Sequence, residues 1–282
     1  MTRMYAQLPL DALLDAFSSS DPTPGGGSAA ALSGALGASL LAMVADLPKT
    51  RSNTPDERTA LDEARGRLLA LRATLLDLID RDAAAYDLVV AAFKRPKATD
   101  DEKAARTAAI QEAMRVAAEV PLETMRACGE VLAAGCAVAE HGNPSAASDV
   151  AVATFTLTSA MQGAMFNVVA NLDSIKDPAV SDRIAAAAKE VVEAPRHTIL
   201  MPPMVRDLLE KSARRLGFGA HGHPPDSRAV PAETFAVPAT EMLRRMGTPE
   251  ARAAIESLAL SPHEVIAGAA KTALERFEAR EN

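Results

Sequence analysis

The fold is decided by the stretch SDPTPGGGSAAALSGALGASLLAMVADL, residues 20–47. Its first part, from Asp21 to Ser28, contains two prolines and three consecutive glycines, which exclude regular structure and predict a stiff loop of specific shape. The part from Ala29 to Ala45 carries no charge and is mostly Ala, Leu, Gly and Ser. Ser28 is predicted to be the N-cap of a helix here, and a helix that is apolar all round is expected to be buried on all sides.

A glycine-rich loop that leads into a buried helix is also a candidate binding site. The first N–H groups of the helix have no partner within it, and the helix dipole places positive charge at the same end. Both features suit an anion or a developing oxyanion. The alternative is a flexible turn before a core helix, but the flanking prolines favour binding. The candidate contacts are therefore Gly25, Gly26, Gly27 and Ser28.

The composition predicts an all-α protein. Aromatic residues make up only 3% of the 282 residues and there is no Trp, which suits helices packed through small side chains. The net charge of −7 comes without a basic patch that contains aromatic residues, so a nucleic-acid partner is not expected. Cys128 and Cys136 form neither a disulfide framework nor a zinc motif and are predicted to be small buried residues of a cytoplasmic protein.

No pattern predicts a membrane or metal role. The N-terminus lacks the basic and apolar segments of a signal peptide. The uncharged run of residues 29–45 falls at the short end of a membrane span, but its Gly and Ser content and its lack of flanking Lys or Arg favour a core helix. His221 and His223, in a segment rich in Gly and Pro, are not expected to form a metal site.

Helix start and stop signals predict a bundle of long helices around the Ala- and Gly-rich one. Thr54 begins a helix that continues to about Phe93, and Thr99 begins another that continues to about Glu140. Pro121 is expected to kink or split the second of these. Shorter helices are predicted from Leu8 to Phe17, from Asn143–Pro144 onwards, and from Asp177–Pro178 to about Val192.

The helix that begins at Thr54 carries a carboxylate, Asp82, on its apolar stripe, whereas Asp80 and Asp87 point elsewhere and are predicted to be solvated. A buried carboxylate is strongly unfavourable unless it is paired or hydrated. Two interpretations remain open: an ion pair with another helix, or a water-filled pocket in which the pKa of Asp82 is raised. The stripe consists of Leu61, Ala64, Leu68, Leu71, Leu75, Leu78, Ile79, Asp82, Tyr86, Val89 and Phe93.

The helix after Asn143–Pro144 has a face of small or polar residues that lacks Lys, Glu and Arg. Because a solvent-facing side normally carries those residues, this face predicts a cavity or a helix contact, and we favour the cavity. The face consists of Asp149, Ala153, Thr156, Ala160, Gly163, Asn167 and Asn171.

Three segments are predicted: a helical domain of residues 1–200, a helix and linker of residues 201–238, and a small HEAT-like helical extension of residues 239–282. One or two such repeats cannot bury a core alone. The extension is therefore expected to pack onto the main domain, a dimer partner or another protein.

Four blocks of the chain, in order, resemble one family: the C-terminal domain of formiminotransferase-cyclodeaminase and the bacterial methenyltetrahydrofolate cyclohydrolases. Four ordered blocks are much more specific than the glycine loop alone. The resemblance covers roughly Leu8 to Val192. The blocks are PTPGGGSAAALSGALGASLLAMVA after Asp21, IDRDAAAYDLVVAAFKRPKATDDEK from Ile79, VPLETM from Val120, and GNPSAASDVAVATFTLTSAMQGAMFNVVANL from Gly142.

The resemblance implies an enzyme of folate one-carbon metabolism. The favoured activity is hydrolysis of 5,10-methenyltetrahydrofolate to 10-formyltetrahydrofolate, and the alternative is a cyclodeaminase that releases ammonia from formiminotetrahydrofolate. The implied reaction needs no metal and no cofactor beyond the folate substrate. Asp82 and Asp149 are the candidate catalytic carboxylates. The candidate substrate contacts are Gly25, Gly26, Gly27, Ser28, Tyr86, Lys94, Asn143, Asn167 and Asn171.

A homodimer is expected, because the charge-free faces exceed what one bundle of about 200 residues needs to hide and because the family is oligomeric. An alternative of another class is a non-catalytic helical scaffold that binds a protein through its C-terminal extension. A scaffold has no reason to keep Asp82, Asp149 and Asn143 at buried positions. The sequence departs from the family pattern after Leu47, where a basic-aromatic run is replaced by Pro48-Lys49-Thr50-Arg51, and near Pro195 and Pro202.

Overall fold

The computed structural model describes residues 4–49 and 53–193 and a few positions between 252 and 274. These residues form helices joined by short loops and include no strand, so the predicted all-α fold is confirmed. The helices are α1 (Leu10–Ser18), α2 (Gly26–Asp46), α3 (Pro55–Phe93), α4 (Asp100–His141), α5 (Ala147–Leu172) and α6 (Pro178–Glu193), with short 3-10 helices at Tyr5–Gln7 and Pro144–Ala146.

Helix α2 lies at the centre of the bundle, where it contacts α3, α4 and α5. Its small residues bring these helices close, as their spacing predicts. Contacts near both ends of α2 show that α3 and α5 run antiparallel to it. The contact pairs are Ser28–Ile79 and Ala45–Arg58 between α2 and α3, and Ala30–Gly163 and Gly37–Leu157 between α2 and α5.

Two glycines of α2 are required by this packing. A Cβ atom added at Gly34 would lie 2.8 Å from the sulfur of Cys128 on α4, and one added at Gly37 would lie 2.6 Å from Leu157 on α5. Cys128 is fully buried, as predicted, and burial raises the pKa of its thiol to about 12. Cys136 is exposed, so the prediction that both cysteines are buried is wrong for that residue.

Helix α2 is not buried on all sides, contrary to the expectation from its composition. Leu36 is 54% exposed and Met43 is 41% exposed, so one face is left open in the single chain. By length and composition α2 could cross a membrane, but 61% of its most apolar segment of 18 residues is buried within the protein, as in a core helix. Helix α5 also exposes apolar side chains at helical spacing, namely Val152, Phe155, Phe166 and Val169.

The two long helices begin at the predicted residues. The hydroxyl of Thr54 accepts the N–H of Glu57, whose carboxylate accepts the N–H of Thr54 in return, and Thr99 and Glu102 form the same capping box at α4. Both boxes satisfy N–H groups that a helix leaves without partners at its start. Sequence therefore located these ends correctly, including the end of α3 at Phe93.

Helix α4 is one continuous helix of 42 residues, although Pro121 was expected to kink or split it. Proline has no N–H, so the carbonyl of Ala117, one turn earlier, loses its helical donor. The side-chain amide of Asn171 on α5 donates to that carbonyl at 2.8 Å instead. A neighbouring helix thus satisfies the group that the proline leaves unpaired, and α4 continues through it.

The chain divides into two compact units, residues 1–219 and 220–282. In the second unit the described residues include buried Ile255 and Ala270, which pack with Ala259 and Leu274. The predicted helix and linker of residues 201–238, with His221 and His223, lie outside the described residues. The three-segment division and the HEAT-like arrangement of the extension stay predictions.

Candidate functional site

The site is centred on Asp82, where α3 passes the N-terminus of α2. The Ser28 hydroxyl lies 2.9 Å from Oδ2 of Asp82, and the Ser28 backbone N–H donates to the same carboxyl group. The N-cap of α2 is Gly25, not Ser28 as predicted, so the helix begins earlier and includes Gly26 and Gly27 in its first turn. Ser28 is therefore inside the helix, where its hydroxyl is free to reach α3.

Gly27 is the residue that lets the carboxylate come so close to α2. A Cβ atom added at Gly27 would lie 2.0 Å from Oδ1 of Asp82 and 2.6 Å from its carboxyl carbon. No side chain is compatible with that distance. At Gly26 the nearest atom to an added Cβ is Nδ2 of Asn167, at an ordinary contact distance of 3.6 Å. None of Gly25, Gly26 and Gly27 has a positive φ, so no left-handed backbone is required, and close approach requires a glycine only at Gly27.

Asp82 has no cationic partner among residues 4–49 and 53–193. Its neighbour Arg81 is engaged elsewhere, since both ends of its guanidinium donate to the carboxylate of Glu123 on α4 at 2.7 Å. Burial raises the pKa of the Asp82 carboxyl above its ordinary range, and the hydrogen bonds from Ser28 oppose that rise in part. Of the two interpretations of Asp82, the ion pair is thus not found within the described part of the chain.

A second carboxylate, Asp80, fixes the loop that precedes α2. Oδ1 of Asp80 accepts the N–H groups of Tyr5 and Ala6, and the buried Tyr5 hydroxyl donates to the carbonyl of Thr23 at 3.0 Å. The prediction that Asp80 is solvated is therefore wrong. Sequence analysis missed Tyr5 and Asp80 because their partners lie far away in the chain. The peptide bond between Thr23 and Pro24 is cis.

Three further groups face the same end of α2. The N–H groups of Gly26 and Gly27 have no partner among the described residues, because they belong to the first helical turn. Asn167 is half-buried beside Gly26; one N–H of its amide donates to the Gly163 carbonyl at 2.8 Å, which leaves its other polar positions available. Tyr86 lies one turn beyond Asp82 on α3 and is 42% exposed.

The two candidate catalytic carboxylates do not meet within one chain. Asp149 begins α5, one turn before Ala153, whose carbonyl lies against Gly37 of α2. At a rise of 1.5 Å per residue, Asp149 is roughly 20 Å along α2 from Gly27. Asn143 lies at the same far end, where its side chain accepts the N–H of Ser145 and donates to the carbonyl of Pro48. Those bonds give Asn143 a structural role in joining α4 to α5.

Two other predicted substrate contacts, Lys94 and Asn171, also do not present their side chains to the Asp82 site. Lys94 is the C-cap of α3, about 18 Å from Asp82 along that helix, given 1.5 Å per residue. Asn171 uses both amide hydrogens inside the protein, on the carbonyls of Ala117 and Asn167. Asn171 therefore holds α4 and positions Asn167 instead of presenting its amide to a substrate.

The small face of α5 is mainly a helix contact, not the favoured cavity. Ala153 and Ala160 are buried, and Gly163 lies against Ala30 of α2. Of the polar residues on that face, only Asn167 lies beside the Asp82 site within the described structure. A cavity of about 290 Å³ does occur elsewhere, between the C-terminal half of α2 and α3; Asp82 is not among its lining residues, which include Arg65 and Arg72.

Sequence comparisons match this segment of the chain. Residues 9–190 match the family model described as formiminotransferase-cyclodeaminase. A methenyltetrahydrofolate cyclohydrolase from Methylorubrum extorquens is 40% identical over 173 residues, which are 61% of this chain and 83% of that protein. A formimidoyltransferase-cyclodeaminase from Rattus norvegicus is 37% identical over 182 residues, and this chain spans only 33% of its length.

The fold has a counterpart among solved structures. The crystal structure of a formiminotetrahydrofolate cyclodeaminase from Thermotoga maritima superposes with a TM-score of 0.63 and 26% identity, over 73% of this chain and 98% of that one. The Asp82 site lies wholly within the matched residues 9–190. Because the family model covers well over half of the sequence, this chain belongs to the formiminotransferase-cyclodeaminase family.

Proposed function

We propose that this protein is a methenyltetrahydrofolate cyclohydrolase in which Asp82 transfers the protons. The observation that carries the proposal is a half-buried carboxylate that has no cationic partner among the described residues and lies next to helix N–H groups that those residues also leave unpaired. Burial raises the pKa of Asp82 towards the range in which a carboxyl can both accept and donate a proton near neutral pH. The 40% identity to the cyclohydrolase of Methylorubrum extorquens supports the choice of substrate.

A single carboxyl group can carry out the proton transfers that this hydrolysis needs. Ionised Asp82 removes a proton from water as the water oxygen bonds to the methenyl carbon, which lies between two nitrogens. The carboxylic acid so formed then protonates one of these nitrogens as its bond to the carbon breaks. The hydroxyl proton of the intermediate passes to solvent as the formyl C=O forms. Asp82 ends ionised, as it began, and the reaction releases one proton.

The remaining groups at this end of α2 bind the substrate in the proposal. The N–H groups of Gly26 and Gly27 stabilise developing negative charge on oxygen, helped by the helix dipole. The carboxamide of Asn167 matches the donor and acceptor edge of a heterocycle. The exposed side chain of Tyr86, one turn beyond Asp82 on α3, is proposed to contact the substrate. Ser28 is fully buried and so supports Asp82 without touching the substrate.

A cyclodeaminase is the second candidate, since the similar crystal structure from Thermotoga maritima has that activity. The same carboxyl serves it: protonation of a leaving amine replaces deprotonation of water. The non-catalytic scaffold is disfavoured, because a scaffold gains nothing from a half-buried carboxylate that has no counter-charge within the described part of the chain.

We also propose that the active form is a homodimer whose sites are shared. Leu36 and Met43 of α2 and the exposed apolar face of α5 provide the surface. A two-fold axis perpendicular to α2 pairs two such surfaces with the helices antiparallel, so that the Asp149 end of one chain lies opposite the Asp82 end of its partner. In this arrangement Asp149 and Asp82 of different chains contribute to one site.

The proposal is tested with the purified full-length protein. Addition of 5,10-methenyltetrahydrofolate is expected to give hydrolysis, followed as loss of its absorbance, whereas formiminotetrahydrofolate is expected to release no ammonia. Asp82→Asn should reduce kcat by about a hundredfold or more, the usual scale for a lost acid–base group. Asp87→Asn, a change at an exposed carboxylate of the same helix, is the matched control. Full activity in Asp82→Asn contradicts the assignment of Asp82, and ammonia release without hydrolysis selects the cyclodeaminase.

A further inference from the structure

The Ser28 hydroxyl stands between two acceptors. Its oxygen lies 2.9 Å from Oδ2 of Asp82 and 2.9 Å from the backbone carbonyl oxygen of Ile79, one turn earlier on α3. Ser28 has no exposed surface, so water does not compete for either bond. A hydroxyl carries one proton and can donate only one strong hydrogen bond at a time. The Ser28 proton can therefore serve only one of the two acceptors at a time, and a second hydrogen bond at Ser28 Oγ needs a proton from a different source.

Only Asp82 can supply that second proton. When Asp82 is ionised, the Ser28 proton points to the carboxylate, because a bond to a charged acceptor is the stronger one. The Ile79 carbonyl then keeps its helical N–H donor alone. When Asp82 is protonated, its O–H donates to Ser28 Oγ, and the Ser28 proton is released to the Ile79 carbonyl. All polar atoms keep a partner in both states.

We propose that Ser28 is a positioning residue that reverses its hydrogen bond when Oδ2 of Asp82 is protonated in the free protein and so holds the carboxyl in one place in both ionisation states. A carboxyl that both accepts and donates a proton must otherwise rotate to find new partners. The contact with Gly27 leaves little room for rotation, since Oδ1 occupies the space of a missing Cβ. This inference rests on the proposed role of Asp82 as the acid–base group.

No other titratable group acts on Asp82 from the helices packed around it. Residues 26–32 of α2 and 163–171 of α5 contain no ionisable side chain. On α3, Arg81 is paired with Glu123 of α4, and Asp80 accepts two backbone N–H groups. Tyr86, one turn beyond Asp82 on α3, is exposed and does not contribute to the pKa shift of Asp82. The protonation of Asp82 is therefore coupled to Ser28 alone among these groups.

The first test follows the two acceptors directly by carbon NMR in the intact protein, with Asp82→Asn used to assign the carboxyl signal. In the wild type, the backbone carbonyl resonance of Ile79 should shift with the same pH midpoint as the Asp82 carboxyl. In Ser28→Ala, the Ile79 resonance should not respond, and the Asp82 midpoint should rise by about one pH unit because the carboxylate loses a donor. Ser39→Ala is the matched control, since the Ser39 hydroxyl donates to Ala35 within the same helix and contacts no carboxylate.

The second test is the pH dependence of kcat/KM, which reports the ionisation of the free enzyme, as the NMR titration does. The limb that reports Asp82 should move to higher pH in Ser28→Ala by the same amount as the NMR midpoint, and Ser28→Thr, which keeps the hydroxyl, should restore it. An Ile79 resonance that ignores the titration of Asp82 overturns the reversal. A midpoint that moves no more in Ser28→Ala than in Ser39→Ala overturns the coupling. Both of these results come from the NMR titrations and not from turnover. They are therefore distinct from failure of the proposed function, which would be full activity in Asp82→Asn.

Discussion

The two ends of helix α2 are built from different kinds of interaction. At the N-terminal end, Asp82 has no cation, and the N–H groups of Gly26 and Gly27 have no partner among the described residues. Among the described residues, Ser28 alone donates hydrogen bonds to this carboxylate, which fits against α2 because Gly27 has no side chain.

At the C-terminal end, polar groups pair with each other. Arg58 donates to the Ala45 carbonyl at 2.9 Å and Asn143 donates to the Pro48 carbonyl. Arg65 Nη2 lies 3.5 Å from Oδ2 of Asp46, although the buried Nε of Arg65 has no hydrogen-bond partner among the residues that the structure describes. The comparison indicates that this end is arranged for stability, whereas the other keeps polar groups available for a ligand.

The strongest test of the comparison asks whether the two ends meet in a dimer. Asp82→Asn and Asp149→Asn are each expected to lower kcat by about a hundredfold or more. If sites are shared, mixed dimers contain one intact site, because it draws Asp82 and Asp149 from different chains. Co-refolding equal amounts of the two variants should then recover about a quarter of wild-type activity, since half the dimers are mixed and half their sites are intact. Wild-type turnover in Asp149→Asn would instead show that the C-terminal end of α2 has only a structural role.

The next effect concerns the approach of Asp82 to α2. Gly27→Ala should displace the carboxylate, lower kcat by at least about tenfold, and reduce stability by about 1–3 kcal/mol through overpacking. Gly26→Ala is the matched control, because its added Cβ meets only an ordinary contact at 3.6 Å. Steady-state kinetics and denaturant unfolding measure both. Equal effects of the two changes would show that the triplet acts only through backbone freedom.

The charge on Asp82 should weaken the fold slightly at neutral pH. Because burial raises its pKa, the folded protein retains a proton that the unfolded chain has released, so stability falls as pH rises through that range. Asp82→Asn should therefore unfold like the wild type at pH below the ordinary range of Asp and be more stable by about 0.5–2 kcal/mol above it. Melting curves across pH measure the difference. A loss of about 3–5 kcal/mol would instead indicate a hidden ion pair.

The smallest expected effect is a coupling free energy between Asn171 and Pro121, which tests the role of Asn171 behind Asn167. Asn171→Ala should lower stability by about 1–2 kcal/mol, because the Ala117 carbonyl opposite Pro121 loses its donor. In a Pro121→Ala background the helix supplies its own N–H, so the same change should be milder. Denaturant unfolding of the four variants gives the coupling, which should be at least about 0.5 kcal/mol. Additive effects contradict the role given to Asn171.

Much of the fold could be predicted because its signals are local. Capping boxes at Thr54 and Thr99 and the end of α3 at Phe93 depend on residues within one turn. Errors arose where the deciding partner lies far away in the chain. Asp80 was expected in solvent but binds the N–H of Tyr5, and α4 continues through Pro121 because of Asn171.

For the candidate site, too, local features could be predicted and long-range contacts could not. Asp82 was identified from its place on an apolar stripe, and the glycine loop from its composition and family resemblance. Periodicity could not reveal that Asn143 and Asp149 lie at the opposite end of α2, because that depends on the direction in which α5 packs. Periodicity also could not reveal which glycine allows the close approach of Asp82. Gly26 and Gly27 are alike in sequence and differ only in the side chain that an added Cβ would meet, Asn167 or Asp82.

The sequence by itself determined the all-α fold and the family and made Asp82 a candidate site residue, because helix periodicity, end caps and ordered motifs are properties of neighbouring residues. Only the tertiary structure decided which polar groups are unpaired, since the pairing of a buried group depends on residues brought from distant segments. Ser28 illustrates the limit: its predicted role as an N-cap is local, whereas its observed position between Ile79 and Asp82 follows from the crossing of α2 and α3.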